Sequence, residues 1–259
     1  MAPSGTTAYV ASLAGGGVIS AIDLATDTVT GTIPTGLGPN QMVINSAGTT
    51  LYVDQQAQSN VKVIDLTTDT VTATVDMNTS QNWGMALAPD GSARYVANAD
   101  NLNLPGAGAS VDVISTATNT VTATIPLGVG TFPTGLALSP DGSTIYTADQ
   151  GANAVSVIST ATDTVTNTIT GFSGALGIVL SPNGTTAYVS DSGDNTVKTL
   201  DIASGTITAS ASGFSVPYLL SQHTTFYPFT GFFPPVRNSP AVNDAVAGWI
   251  IPAISPGGI

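Results

Sequence analysis

Residues 133–169, PTGLALSPDGSTIYTADQGANAVSVISTATDTVTNTI, decide the fold. The stretch breaks into four short runs that favour extended backbone. Residues 136–138 (Leu-Ala-Leu) are apolar, 144–147 (Thr-Ile-Tyr-Thr) are β-branched and aromatic, 155–158 (Val-Ser-Val-Ile) alternate, and 164–169 (Thr-Val-Thr-Asn-Thr-Ile) alternate again. Pro140-Asp141-Gly142 separates the first two runs as a hairpin turn, and residues 160–163 form a polar turn between the last two. One unit is therefore a small antiparallel sheet of four strands.

The unit recurs outward in both directions. Its tyrosine reappears as Tyr9, Tyr52, Tyr95, Tyr146 and Tyr188, at spacings of 43, 43, 51 and 42 residues. Four strands at that period predict an all-β chain and a β-propeller, in which each sheet packs face to face on its neighbours. The copies YVAS (from Tyr9), YVDQ (Tyr52), YVAN (Tyr95), YTAD (Tyr146) and YVSD (Tyr188) are each followed by a segment like VKVIDLTTDTVTATV. They resemble the YVTN-type propeller repeat over about residues 1–212. The resemblance implies an extracellular propeller of the sort found in surface-layer and secreted proteins of archaea and bacteria.

The first copy begins at its second strand, whereas the others are complete. Residues 213–221 (GFSVPYLLS) loosely repeat residues 130–139 and are the candidate for the missing inner strand. Residues 216–221 pairing with residues 7–11 close the ring and remove an exposed sheet edge. Five four-stranded blades over residues 1–222 are expected, in preference to a sixth blade built from 213–259, with a distinct tail over 223–259. The 51-residue spacing comes from an extended loop over residues 98–109, read as a tolerated insertion or as a loop over the binding face.

The tail departs from the repeat. From Phe229 through FTGFFPPVRN, then Ala241-Val242-Asn243 and Ala247-Gly248, it resembles the opening of the PxKF module, a small β domain of secreted bacterial proteins; the expected Lys and Phe are absent at residues 252–255. Phe229, Phe232, Phe233, Trp249 and Ile250 gather apolar area that predicts contact with the propeller or a partner. Prolines keep the segment extended, the form that lies along a neighbour or adds to its sheet. The uncharged outer strands, such as residues 70–75 and 120–125, are the expected docking edges. A homo-oligomer or filament, or contact with other surface proteins or polysaccharide, follows.

Composition narrows the function. Charged residues are 8% of the chain, Glu is absent, and Lys62, Arg94, Lys198 and Arg237 are the basic residues. A net charge of −12 disfavours nucleic acid, whose phosphates need clustered Lys and Arg. No apolar run reaches the roughly 18 residues of a transmembrane helix. The N-terminal residues lack a signal peptide's charged and apolar regions, and an extracellular or cell-surface location implies a leader removed from this version. With no Cys, no disulfide or thiolate site exists.

Site candidates are few. Ser12, Gln55, Asn98, Asp149 and Asp191 each lie three residues after an anchor tyrosine, at the end of a second strand, with Asp100 and Asp194 nearby. Two readings stand: a polar funnel at the channel mouth able to hold Ca²⁺, with Asp149, Asp191 and Asp194 as ligands, or plain capping of the loops, which is favoured. Trp83, Phe132 and Phe172 form either a surface aromatic platform for sugars or packing between blades. His223 is the single histidine, and the inventory of acids, bases and thiols is too thin to point to catalysis, so no cofactor and no enzymatic activity are expected. The sequence reading is a secreted or cell-surface structural or adhesive propeller. The alternative is a small-ligand or carbohydrate-binding propeller, or an enzyme, using the channel mouth.

Overall fold

The computed structural model describes residues 1–12, 16–55, 58–77, 82–99 and 108–217, and the backbone of residues 220–221 and 249–250. All regular elements among them are strands. The first sheet holds β1 (Thr7–Ser12), β2 (Val18–Asp23) and β3 (Thr28–Pro34). The second holds β4 (Pro39–Ile44), β5 (Thr50–Gln55), β6 (Asn60–Asp65) and β7 (Thr70–Asp76). The third holds β8 (Asn82–Leu87), β9 (Ala93–Asn98), β10 (Ala109–Ser115) and β11 (Thr120–Gly128). The fourth holds β12 (Pro133–Leu138), β13 (Thr144–Asp149), β14 (Ala154–Ser159) and β15 (Thr164–Thr170), and the fifth β16 (Ala175–Leu180), β17 (Thr186–Asp191), β18 (Thr196–Asp201) and β19 (Thr206–Ala211). Five consecutive antiparallel sheets, four of them four-stranded, make a β-propeller.

Turn chemistry explains why the repeat is so regular. Between the third and fourth strands one residue takes a left-handed conformation in every blade. It is Asp27, Asp69, Asn119 and Asp163 at φ of 54°, 54°, 54° and 51°, and Gly205 at 64°. Asp, Asn and Gly are the residues that adopt it at least cost. In the Pro140-Asp141-Gly142 turn, Gly142 alone carries positive φ, at 75°. Asp141 serves differently, its carboxylate accepting from the Ser143 N–H (3.0 Å) and the Ser139 hydroxyl (2.6 Å).

The outer strand of every blade contains a β-bulge at the same place. Ala21 pairs with Gly31 and Ile22 with Val29, which leaves Thr30 as the extra residue. The same skip isolates Thr72, Thr122, Thr166 and Thr208. Each of these hydroxyls donates back to a carbonyl of the third strand: Thr30 to Ala21 (3.3 Å), Thr72 to Val63 (3.2 Å), Thr122 to Val113 (3.2 Å), Thr166 to Val157 (3.1 Å) and Thr208 to Thr199 (3.3 Å). A bulge bends and twists a strand, which spoils it as a template for a further strand. The outer strands are therefore poorer docking edges than their lack of charge implies.

The core lies between neighbouring sheets. Ile19 and Ile33 of the first blade pack with Leu51, Val53 and Ile64 of the second, and comparable clusters fill the next three interfaces. Inner strands approach backbone to backbone. A Cβ on Gly135 would sit 2.7 Å from the Leu176 carbonyl oxygen, and one on Gly84 2.9 Å from the Leu136 nitrogen, so both positions require glycine. The second blade has Gln41 instead, and its side-chain oxygen reaches across to accept from the Met85 N–H at 2.7 Å.

Ring closure departs from the expected pairing. Among the described residues β1 pairs with β2 alone, and the first sheet has three strands. The segment expected to complete it ends in β20 (Leu220–Ser221), which contacts β16 and β17 and pairs in parallel with β21 (Trp249–Ile250). The extended loop at residues 100–107, with Asp100, and most of the tail, including Phe229, Phe232 and Phe233, lie outside the described residues, as do the side chains of Trp249 and Ile250.

Candidate functional site

The five residues following the anchor tyrosines close their second strands as expected, but they do not form an open funnel. Gln55, Asn98, Asp149 and Asp191 are fully buried, and Ser12 is half-buried. Each buried one is engaged within its own blade. Asp149 accepts from the Ser156 hydroxyl at 2.5 Å. Asp191 accepts from the Ser173 N–H (2.9 Å to each oxygen) and pairs with Lys198 at 2.6 Å. Asn98 donates to Ser110 (3.2 Å) and hydrogen-bonds Asp112, which accepts from Thr124 (2.7 Å). The Gln55 amide nitrogen, turned to match its neighbours, donates to the Leu37 and Gly36 carbonyls at 2.9 and 3.1 Å.

The three calcium-ligand candidates are thereby divided. Asp191 and Asp194 are brought together, but by the Lys198 ammonium, which lies 2.6 Å from one and 2.9 Å from the other and also donates to the Gly171 carbonyl. That ammonium is a cation built into the chain. Asp149 sits in the adjacent blade. No group of three metal-ligating side chains occurs among the described residues. Calorimetric titration with Ca²⁺ is expected to show no micromolar binding. A heat signal that vanishes in Asp149→Ala with Asp191→Ala would restore the funnel.

The aromatic candidates also separate. Phe172 is buried with Ile169 and Ala175, and the Lys198 ammonium lies 5.5 Å from its ring centre, so it is a core residue and no surface platform. Trp83 and Phe132 are half-buried and pack on each other across the third and fourth blades, ring centres 6.1 Å apart and tilted by 51°. Packing between blades accounts for both.

Two charged residues that the repeat alignment conceals stand out. Asp54 occupies the place of Ala97, Ala148 and Ser190 in the other blades and is 1% exposed. Burial pushes its pKa up to about 8, with hydrogen bonds from Asn82 and the Gln55 backbone offsetting part of the rise. Asp149 is pushed up to about 6, again by burial, against the pull of Ser156. Carboxyls poised in this range are suited to moving a proton, yet both are walled off from solvent. Arg94 occupies the place of Leu51 and Ile145. It is fully buried and stacks 4.4 Å above the Tyr52 ring; burial lowers its pKa to about 10, with Tyr52 offsetting part of the fall.

A buried cation with no carboxylate partner costs more than its contacts with one tyrosine return. Arg94→Leu, the residue that the second blade uses, is expected to stabilise the protein by about 1–3 kcal/mol. A lower melting temperature in the variant would show that Arg94 has a partner of more value than the stacking.

Tyr52 also borders a groove of about 250 Å³ between the second and third blades, lined by Thr50, Asp65, Thr67, Thr72 and Thr116 among others. Hydroxyls dominate it. The Asp65 carboxylate at its rim is held below the usual range by the Thr67 hydroxyl and N–H, at 2.6 and 2.7 Å.

No family model matches the chain. No curated protein matches it either. Among solved structures it is similar to hydrazine synthase of Kuenenia stuttgartiensis, with a TM-score of 0.72 and 21% identity, over 84% of this chain and 66% of that one. At that identity the likeness is one of fold. It nevertheless corrects the expectation of a non-enzyme, because a propeller of this shape is part of an enzyme, and a thin inventory of acids and bases in the repeats does not exclude one. No helix among the described residues is long and apolar enough to cross a membrane.

Proposed function

We propose that the chain is a secreted or cell-surface propeller of the YVTN type with a structural or adhesive role, and that it works as a subunit of an extracellular assembly. The observation that carries this reading is the composition of the outer strands. β3, β7, β11, β15 and β19 present exposed threonines in nearly the same order, and Asp76 is their one charged residue. A rim of hydroxyls and methyls repeated from blade to blade suits an extended, repetitive contact made through side chains and without strand pairing, such as neighbouring copies or a polysaccharide. The PxKF-like tail, with Phe229, Phe232, Phe233, Trp249 and Ile250, supplies the apolar area for joining one copy to the next.

Light scattering on the intact chain tests this reading. A mass of several copies is expected, falling to a single copy when the chain is cut after Gly213. An intact chain that stays monomeric at high concentration would overturn it.

A second reading, a small-ligand or carbohydrate-binding propeller, is supported by the hydroxyl-lined groove at Tyr52 in place of the channel mouth. Titration with neutral oligosaccharides, repeated on Thr67→Val, distinguishes it. Binding that the substitution abolishes favours the second reading, and no binding removes it.

A further inference from the structure

We propose that the propeller opens locally at one seam, the interface between the second and third blades, and that ionisation of Asp54 drives the opening. The inference goes beyond the assembly reading and does not depend on it.

Departures from the repeat collect at this seam. Along the inner strands, Gly84 meets the fourth blade and Gly135 the fifth backbone to backbone, whereas Gln41 holds the corresponding place in β4 and bridges to the Met85 N–H through its side chain. Asp54 of β5 is hydrogen-bonded by Asn82 of β8, across the same seam. Arg94 of β9 reaches back over the Tyr52 ring. Asp112 of β10 lies on this side as well, because it stands directly opposite Val96, and Val96 packs with Tyr52, Val61 and Met85 in the core of the seam. The groove bordered by Tyr52 and Thr116 opens onto the same interface.

The later seams are built otherwise. Between the third and fourth blades Ala97 and Ile145 take the places of Asp54 and Arg94, and between the fourth and fifth Ala148 and Ala187 do. All four are fully buried in apolar clusters. Parting such a seam returns apolar surface to water and recovers little. Parting the second from the third blade also exposes apolar surface, but Gln41, Asn82 and the Met85 N–H exchange their bonds for bonds to water, and buried ionisable groups regain hydration.

The gain at Asp54 depends on pH. Burial holds its carboxyl uncharged in the closed seam, and in contact with water it ionises near 4. The closed form therefore keeps a proton that the open form releases, and the open fraction grows about tenfold per pH unit between about 4 and 8. Asp112, also raised by burial, works in the same direction. Arg94 is charged throughout that range, so its gain on opening is constant. Tyr52 is the remaining titratable group on the seam.

Methionine sulfurs test the proposal. Met85, Leu136 and Ile178 hold one inner-strand position and face three successive seams, and Met77 packs in the same cluster as Met85. The folded chain and its Leu136→Met and Ile178→Met variants are exposed to dilute hydrogen peroxide, and oxidation at each site is read by peptide mass. At a pH of about 8, Met85 and Met77 are expected to oxidise about tenfold or more faster than the sulfurs at 136 and 178, and Asp54→Asn is expected to slow them about tenfold or more. Equal rates at every buried sulfur would mean that the fold opens only as a whole, and would overturn the proposal. A Met85 rate that Asp54→Asn leaves unchanged would overturn it too. Hydrogen exchange on the unsubstituted chain makes the comparison without the methionine variants: β8 should exchange before β12 and β16, and a common rate for the three strands counts against a local opening as firmly as equal oxidation does.

Discussion

Asp54→Asn is expected to raise the melting temperature at a pH of about 9 and to flatten its dependence on pH between about 4 and 8. Burial holds the Asp54 carboxyl at about 8 in the fold, whereas the unfolded chain ionises it near 4. Below about 4 both states are protonated, and burying the group costs no charge. As pH rises toward 8 the unfolded chain releases its proton while the folded one retains it, so stability declines. Above about 8 both are ionised and the loss levels off, on the order of 5 kcal/mol. Asp149, at about 6, acts in the same direction over a narrower window. The turn carboxylates act in the opposite direction at lower pH: Asp141, at about 2, loses its turn hydrogen bonds only in strong acid. The contributions of Asp54 and Asp149 are therefore largest below about 4, where the turn carboxylates begin to lose theirs. A variant that melts lower than the parent at alkaline pH, or a parent whose stability is flat from about 4 to 8, would show that Asp54 is ionised and partnered.

Lys198→Met is expected to destabilise the fifth blade by about 3–5 kcal/mol, read from chemical denaturation. The ammonium reaches Asp191, Asp194 and the Gly171 carbonyl at once, and its side chain is 11% exposed. Its removal leaves Asp191 fully buried, with the Ser173 N–H as its remaining donor in the hydrogen-bond set above. Asp194, at 38% side-chain exposure, turns to water instead. Most of the loss should be recovered by adding Asp191→Asn, which removes the stranded charge. A double variant as unstable as the single one would place the contribution of Lys198 in its contact with Phe172.

The tyrosine period, the Asp-Gly turns and the alternation of residues 155–169 made the propeller legible in the sequence, and Ala154–Ser159 and Thr164–Thr170 form within a residue or so of where alternation places them. The site was less so. Position alone places Asp149 and Asp191 at strand ends, and strand ends suggested exposure. Their partners, Ser156 and Lys198, both stand seven residues downstream, and the coincidence of a lone basic residue with an acid at that spacing was the available signal. Asp54 and Arg94 were hidden because the alignment is anchored on Tyr52 and Tyr95, and each departs from the repeat one or two positions away from its anchor. The bulges were invisible for a different reason. In Thr-Val-Thr-Ala-Thr the skipped residue is itself a threonine, so simple alternation and a bulge read alike.

The threonine-capped bulge has a consequence for how such a chain changes over generations. Each blade carries its own guard against lateral pairing, written into the unit and independent of its neighbours. Duplicating or deleting a unit therefore copies or removes the guard along with the sheet.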